Sequence, residues 1–183
     1  MVTLGRLCNF LPMAFLDSMI PAATSRLSFR NFRQEDLPQV MLMNRDPKVM
    51  TYFPEIKSED EITLDFDRYL KYHLSHPGYG YWHTSLRQQN QFIGFFIVKV
   101  LPETGETEIG SRLLPQYWGQ GLATEGARAM VKHAREHLKV KRVVGVANPE
   151  NQASRRVLEK AGLEFELQGR FYQVTCAYYS MEL

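Results

Sequence analysis

Two stretches of the chain hold residue types at spacings that could do chemistry. The first is Pro115-Gln116-Tyr117-Trp118-Gly119-Gln120-Gly121-Leu122-Ala123-Thr124-Glu125, between a strand-like run and a helix-like one. A glycine pair lets the main chain turn tightly and brings successive N–H groups close to a bound anion. The helix start that follows offers unpaired donors and the positive end of a dipole. The ligand implied is a phosphate or pyrophosphate. The dipole contributes only about 0.3–2 kcal/mol, so direct hydrogen bonds and burial of the rest of the ligand must supply most of the affinity. No Gly-Lys-Ser/Thr follows, which excludes a Walker loop, and Gly-x-Gly-x-x-Gly with a later acid is missing too. The second stretch runs from Asn148 to Ser154, where Asn151 and Ser154 fall one turn apart on one face of a helix start. His133 and His137 are four apart, but a zinc helix needs Glu directly after the first histidine and Ala134 stands there, so no metal is expected.

The elements that must position these stretches follow from periodicity. From Thr24 the residues alternate, with Leu27 and Phe29 facing one way, as in a half-buried strand. Residues 34–45 read as a helix opened by Glu35 and Asp36 and ended by Asp46-Pro47. Ser58 with Glu61 makes a capping box for a helix over about 59–74. Runs 79–87 and 91–101, joined by Gln88-Gln89-Asn90, suggest a hairpin, and 106–114 is a third strand. A helical stripe from Ala123 to Leu138 precedes a strand at 141–147, and 151–161 is a helix stopped by Gly162. Two last strands join near Gln168-Gly169. The order β-α-α-β-β-β-α-β-α-β-β defines a mixed α/β domain over residues 24–183, with residues 1–23 as an extension.

At this point the motifs carry a resemblance. Gln116-x-x-Gly119-x-Gly121-Leu122-Ala123 resembles the acyl-CoA pyrophosphate motif of the GNAT N-acetyltransferase superfamily, and Asn148 to Ser154 followed by Leu158-Glu159-Lys160-Ala161-Gly162 resembles its second motif. The opening Thr24 to Arg30, the Glu35-Asp36 pair and Glu108-Ile109-Gly110 further resemble the branch that acetylates ribosomal-protein N-termini. The resemblance implies the acyl-CoA N-acyltransferase fold, a mostly antiparallel sheet of about seven strands with four helices. It implies that main-chain N–H groups from Trp118, Gly119, Gln120, Gly121, Leu122 and Ala123 cradle the CoA pyrophosphate, with the Thr124 hydroxyl beside them. Strands 107–114 and 141–147 would splay so that pantetheine lies between them, and unpaired donors near Leu113 and Leu114 would form an oxyanion hole. Asn151 would contact the pantetheine arm, and Ser154 would protonate the departing thiolate, the tyrosine of another branch being Leu158 here. The other reading of Ser154 is a helix-start hydroxyl that satisfies backbone donors.

An amine must lose a proton to attack, and a carboxylate serves as general base directly or through water. Glu108 is the candidate, set against a solvated strand acid paired with a cross-strand Lys or Arg. Glu125 reads as a helix-start acid. The reaction implied is direct acetyl transfer from acetyl-CoA, without a covalent enzyme intermediate, to a peptide or protein N-terminal α-amine such as that of a ribosomal protein. A polyamine, amino acid or antibiotic amine is the alternative, and a non-catalytic acyl-CoA-binding module is a third.

The composition fits this class. The chain has 183 residues, 44% hydrophobic and 23% charged, with formal net charge +2, the balance of one globular domain and not of a nucleic-acid or acidic-membrane binder. No run approaches the roughly 18 apolar residues a membrane span needs. Cys8 and Cys176 are far apart, which disfavours a disulfide scaffold and suits a reducing cytoplasmic setting. Arg6 followed by Leu7 to Leu16 resembles a secretory signal only superficially, since Asn9 and Pro12 interrupt its apolar core. An apolar extension around Leu11 to Leu16 could serve as a homodimer interface.

Overall fold

The computed structural model describes residues 19–53 and 57–183. The expectations for Cys8 and for residues 11–16 lie outside the described residues. Seven strands form one sheet in the order β1-β2-β3-β4-β5-β7-β6. They are β1 (Leu27–Asn31), β2 (Gly80–Leu86), β3 (Gln91–Val100), β4 (Thr107–Leu113), β5 (Arg142–Ala147), β6 (Glu164–Phe171) and β7 (Val174–Glu182). Every neighbouring pair is antiparallel except β4 with β5. That parallel pair is joined through the helix Leu122–His133, a crossover that parallel strands require.

Among the described residues five α-helices accompany the sheet, one more than the four expected because the short α2 follows α1: α1 (Leu37–Arg45), α2 (Pro47–Met50), α3 (Glu59–Ser75), α4 (Leu122–His133) and α5 (Gln152–Ala161). Strand alternation sorts the side chains onto the two faces of the sheet. One face carries Trp82, Phe96, Ile109, Leu113 and Val143, packed with Leu122, Met130 and Leu158 of α4 and α5. The other carries Phe32 and Phe95, closed by Val40 and Met43 of α1 and by Ile62 and Phe66 of α3. Among the described residues no helix is long and apolar enough to cross a membrane.

Three local features differ from the sequence reading. Asp46-Pro47 does not only end a helix; the Asp46 carboxylate accepts from the Lys48 amide at 2.8 Å and Pro47 opens α2, a proline being suited to a first helical position. After α4 the chain makes a π turn over Ala134–Leu138. The last hairpin turns at Tyr172-Gln173 and not at Gln168-Gly169, because Gly169 is paired with Cys176 inside the β6–β7 ladder. Tyr172 and Gln173 both take positive φ, 51° and 65°, a left-handed conformation that non-glycine residues adopt at a cost.

A polar layer in which Asp36 and His83 are buried joins β1, α1 and β2. Arg30 binds the buried Asp36 through both carboxylate oxygens at 2.6 and 2.7 Å, and His83 Nε2 meets Gln39 Oε1 at 3.1 Å. Burial alone would raise the Asp36 carboxyl, but hydrogen bonds from Arg30 and the Arg33 amide outweigh it and hold it below its ordinary value. Burial and the nearby Arg30 charge push His83 down to about 4. His83 is therefore neutral in the fold while the unfolded chain takes up a proton below pH 6.5, so stability falls as pH drops from 6.5 towards 4. The buried His133, also lowered by burial, acts in the same sense. The thermal midpoint should decline across that window, with a shallower decline in His83→Gln; an equally steep decline in the variant would assign the effect elsewhere.

Candidate active site

The parallel ladder between β4 and β5 is short. Thr107 pairs with Val143 and Glu108 with Val144, and no further pair follows, so the two strands part beyond Glu108. The Leu114 amide donates to the Ile93 carbonyl at 2.9 Å. Alternation along an antiparallel strand then turns the amides of Arg112 and Leu114 toward β3, and those of Ser111 and Leu113 toward the gap. The expectation of an unpaired donor at Leu114 is thus corrected, since that N–H is spent on β3. The Leu113 amide is the one aimed into the cleft.

At the end of β4 the glycine loop is built from its own contacts. Trp118 Nε1 donates to the Leu113 carbonyl at 2.8 Å, and Gln120 Nε2 donates to the Gln116 carbonyl at 2.8 Å. Gly119 and Gly121 take φ of 73° and 76°, and a Cβ at Gly119 would stand in open space. Gly121 caps α4 without any side-chain hydrogen bond, so the first amides of α4 are left to an outside acceptor. Arg26 braces the loop from β1's side, its Nη1 on the Gln120 carbonyl at 3.0 Å and its Nε on Glu125 Oε2 at 2.6 Å. Burial would raise the Glu125 carboxyl, yet hydrogen bonds from Thr24, Ser25 and Arg26 hold it low. Its charge is matched by Arg26, which lessens its repulsion of an anion at the helix start.

Across the cleft, the Asn151 side chain caps α5, accepting from the Ser154 amide at 3.0 Å. The N-cap role thus falls to Asn151 and not to Ser154, whose hydroxyl has no partner among the described residues. Gly145 of β5 makes room for Leu158, whose Cδ2 would lie 2.6 Å from a Cβ there, so Leu158 is a core residue. Arg155 is turned inward, with Nε on the Tyr179 hydroxyl at 2.8 Å and Nη1 on the Pro149 carbonyl at 3.2 Å.

Glu108 lies on the opposite face of the sheet from α4 and is only 4% exposed. Its register partner Lys99 pairs with it at 2.9 Å, and the Tyr172 phenol donates to it, completing a Lys99–Glu108–Tyr172 network. The cross-strand cation agrees with the alternative reading of Glu108, but the pair is buried and not solvated. The backbone of Tyr172 is held by its N–H on Glu103 Oε1 at 2.5 Å. Cys176 is buried and its thiol is pushed up by burial, which suits a structural residue. Among the described residues no cluster of His, Cys, Asp and Glu could hold a metal.

Known proteins resemble this chain in sequence and fold. The family described as acetyltransferase (GNAT) domain matches residues 26–164. The chain belongs to the GNAT acetyltransferase family. A curated relative, the FsC-acetyl coenzyme A-N(2)-transacetylase of Aspergillus fumigatus, is 33% identical over 76% of this chain, and the match spans 63% of that protein's length. A GNAT acetyltransferase structure from Bacillus anthracis superposes with a TM-score of 0.72 at 26% identity, covering 89% of this chain and 98% of the other. The spermidine N-acetyltransferase of Vibrio cholerae, solved with CoA and spermine, shares the fold with a TM-score of 0.70 at 17% identity, over 87% of this chain and 96% of its own. Membership of this family makes acetyl-CoA the co-substrate.

Sequence reasoning missed Lys99 and Arg112. Both are single cations on alternating strands, and the available signal was their register: Glu108, Gly110 and Arg112 share one face of β4.

Proposed function

We propose that the protein is an N-acetyltransferase that passes acetyl from acetyl-CoA directly to a primary amine, with a peptide or protein N-terminal α-amine as the acceptor. The observation that carries this reading is the parting of β4 and β5 beyond Glu108, with the glycine loop at one strand's end and Ser154 at the other's. Amides from Gly119 to Ala123 and the Thr124 hydroxyl would hold the pyrophosphate, the expected Trp118 amide being spent on the Pro115 carbonyl at 3.1 Å, with Gln116 shaping the loop and Leu114 anchoring it to β3. Asn151 would keep its side-chain N–H₂ for the pantetheine arm, its carbonyl being used by the cap.

Acetyl-CoA, when bound, supplies an activated thioester. The Leu113 amide is oriented to stabilise charge on the carbonyl oxygen as the amine attacks. Ser154 gives a proton to the sulfur that leaves, and Glu108 takes the amine's proton through water. Lys99 and Tyr172 keep Glu108 oriented. A small-molecule amine is the second reading, favoured by the name of the fungal relative, which places its transfer on N(2) of FsC.

Initial-rate kinetics with a panel of N-terminal peptides and small amines tests this reading. Intersecting double-reciprocal lines and acetylated product by mass spectrometry are expected; parallel lines would point to a covalent enzyme intermediate instead. Gly121→Val should weaken acetyl-CoA binding by about tenfold or more, because a β-branched residue resists the left-handed backbone that aims the loop amides. Unchanged affinity by calorimetry would mean the pyrophosphate sits elsewhere.

A further inference from the structure

Arg112 has the environment of a cation waiting for an anion. It stands one residue before Leu113, whose amide faces the cleft, and its side chain lies on the sheet face opposite α4 and α5. Its guanidinium stacks on the Phe53 ring at 4.0 Å to the centroid, with the Phe95 ring at 5.6 Å. One N–H donates to Asn44 Oδ1, and Asn44 is itself buried and fixed by its Nδ2 on the Val40 carbonyl at 2.8 Å. Among the described residues no carboxylate lies within 4.0 Å of Arg112. The nearby acids are already engaged: Glu108 with Lys99, and Asp65 with Lys57 and Arg68.

Two phenols adjoin it. Tyr69 of α3 and Tyr81 of β2 stack at 4.2 Å, and both lie around the Phe95 ring, at 5.5 and 6.2 Å between centroids, the same ring that lies 5.6 Å from the Arg112 guanidinium. Neither hydroxyl has a hydrogen-bond partner among the described residues, and both side chains are half-buried. Burial pushes both phenols up, so they stay protonated donors. A guanidinium with N–H groups to spare and two phenolic O–H groups thus offer donors from three elements beside the amide that faces the thioester.

We propose that Arg112, with Tyr69 and Tyr81, binds a carboxylate of the acceptor, so that the amine acetylated sits a few bonds from an acidic group. This rests on the acetyltransferase reading and narrows its substrate class. Because the glycine loop and α5 occupy the other face, an amine reaching the thioester from this face brings its substituents against Arg112. A fixed, weakly hydrated cation favours a planar carboxylate through paired hydrogen bonds and repels a polycation. The carboxylate belongs either to a free amino acid or to an acidic second residue of a peptide.

Matched acceptors separate these cases in the unmodified protein. The panel is Ala-Asp-Ala amide against Ala-Asn-Ala amide, free alanine against alaninamide, and spermidine. At least one carboxylate partner should exceed its neutral counterpart by about 30-fold or more in kcat/KM. The peptide pair responds if the acid is a second-residue side chain, the alanine pair if it is the α-carboxylate. In Arg112→Gln the preference should collapse to within about threefold, and Arg112→Lys should keep part of it, with acetyl-CoA affinity unchanged in both. Equal use of neutral acceptors, or a preference for spermidine, would overturn carboxylate recognition while leaving acetyl transfer intact. No transfer to any acceptor together with no acetyl-CoA binding would overturn both readings.

Discussion

Replacing Ser154 with alanine should lower kcat by about 100-fold while acetyl-CoA affinity stays within about twofold. The expectation rests on where the hydroxyl's duties lie. A serine in the first turn of a helix usually serves the backbone, yet here Asn151 already caps α5 through the Ser154 amide at 3.0 Å. Removing the hydroxyl therefore costs the helix little and leaves the cleft without its proton donor. The leaving thiolate is a good leaving group near neutral pH, a thiol's ordinary pKa being about 8.5, which is why the loss is bounded and not total. The check is a steady-state comparison with a single-turnover measurement beside it, so that product release does not mask chemistry. An unchanged rate of the chemical step would remove Ser154 from the reaction.

The second large effect is on Glu108, where stability and catalysis are entangled. Its side chain and that of Lys99 are 6% and 12% exposed. Glu108→Gln leaves the Lys99 ammonium in an apolar and aromatic setting, held by the Tyr172 phenol and ring but without a counter-charge. Breaking one side of such a pair typically costs about 3–5 kcal/mol, which in a domain of this size lowers Tm by roughly 10 °C. A loss of activity in this variant alone would say nothing about a base. Lys99→Met combined with Glu108→Gln separates the two roles, because it removes the stranded charge. The double variant should recover much of the lost stability and remain slow, by about 100-fold, if Glu108 takes the amine's proton. Restored turnover in the double variant would make Glu108 a structural acid only.

Much of this architecture is legible in the sequence because its signals are local. Alternation marks β1 to β4, the Ser58 and Glu61 pair marks the start of α3, and the amide of Glu61 does meet the Ser58 hydroxyl at 3.3 Å. Gly121 and Gly162 stand at helix ends in left-handed conformations, as glycines there must. The gap between β4 and β5 could be anticipated only through the family resemblance, since strand divergence leaves no mark on periodicity. The last turn differs for a physical reason: Gly169 looks like a turn residue, but the turn takes Tyr172 and Gln173, with Tyr172 held by Glu103, Glu108 and Lys99 of the distant β3–β4 hairpin. Leu114 was misjudged because the parity of hydrogen bonding along β4 is set by its register with β3, which single-sequence patterns do not fix. Arg112 was passed over for the same reason. Its significance lies in what surrounds it, Phe53, Phe95 and two tyrosines drawn from α3, β2, β3 and a loop.

The most direct test of the account is calorimetric titration of the protein with acetyl-CoA, run beside desulfo-CoA and ATP. Micromolar binding of the two CoA forms, with none of ATP, is the predicted result; failure of acetyl-CoA to bind would contradict the assignment of the glycine loop and the parted strands as its site.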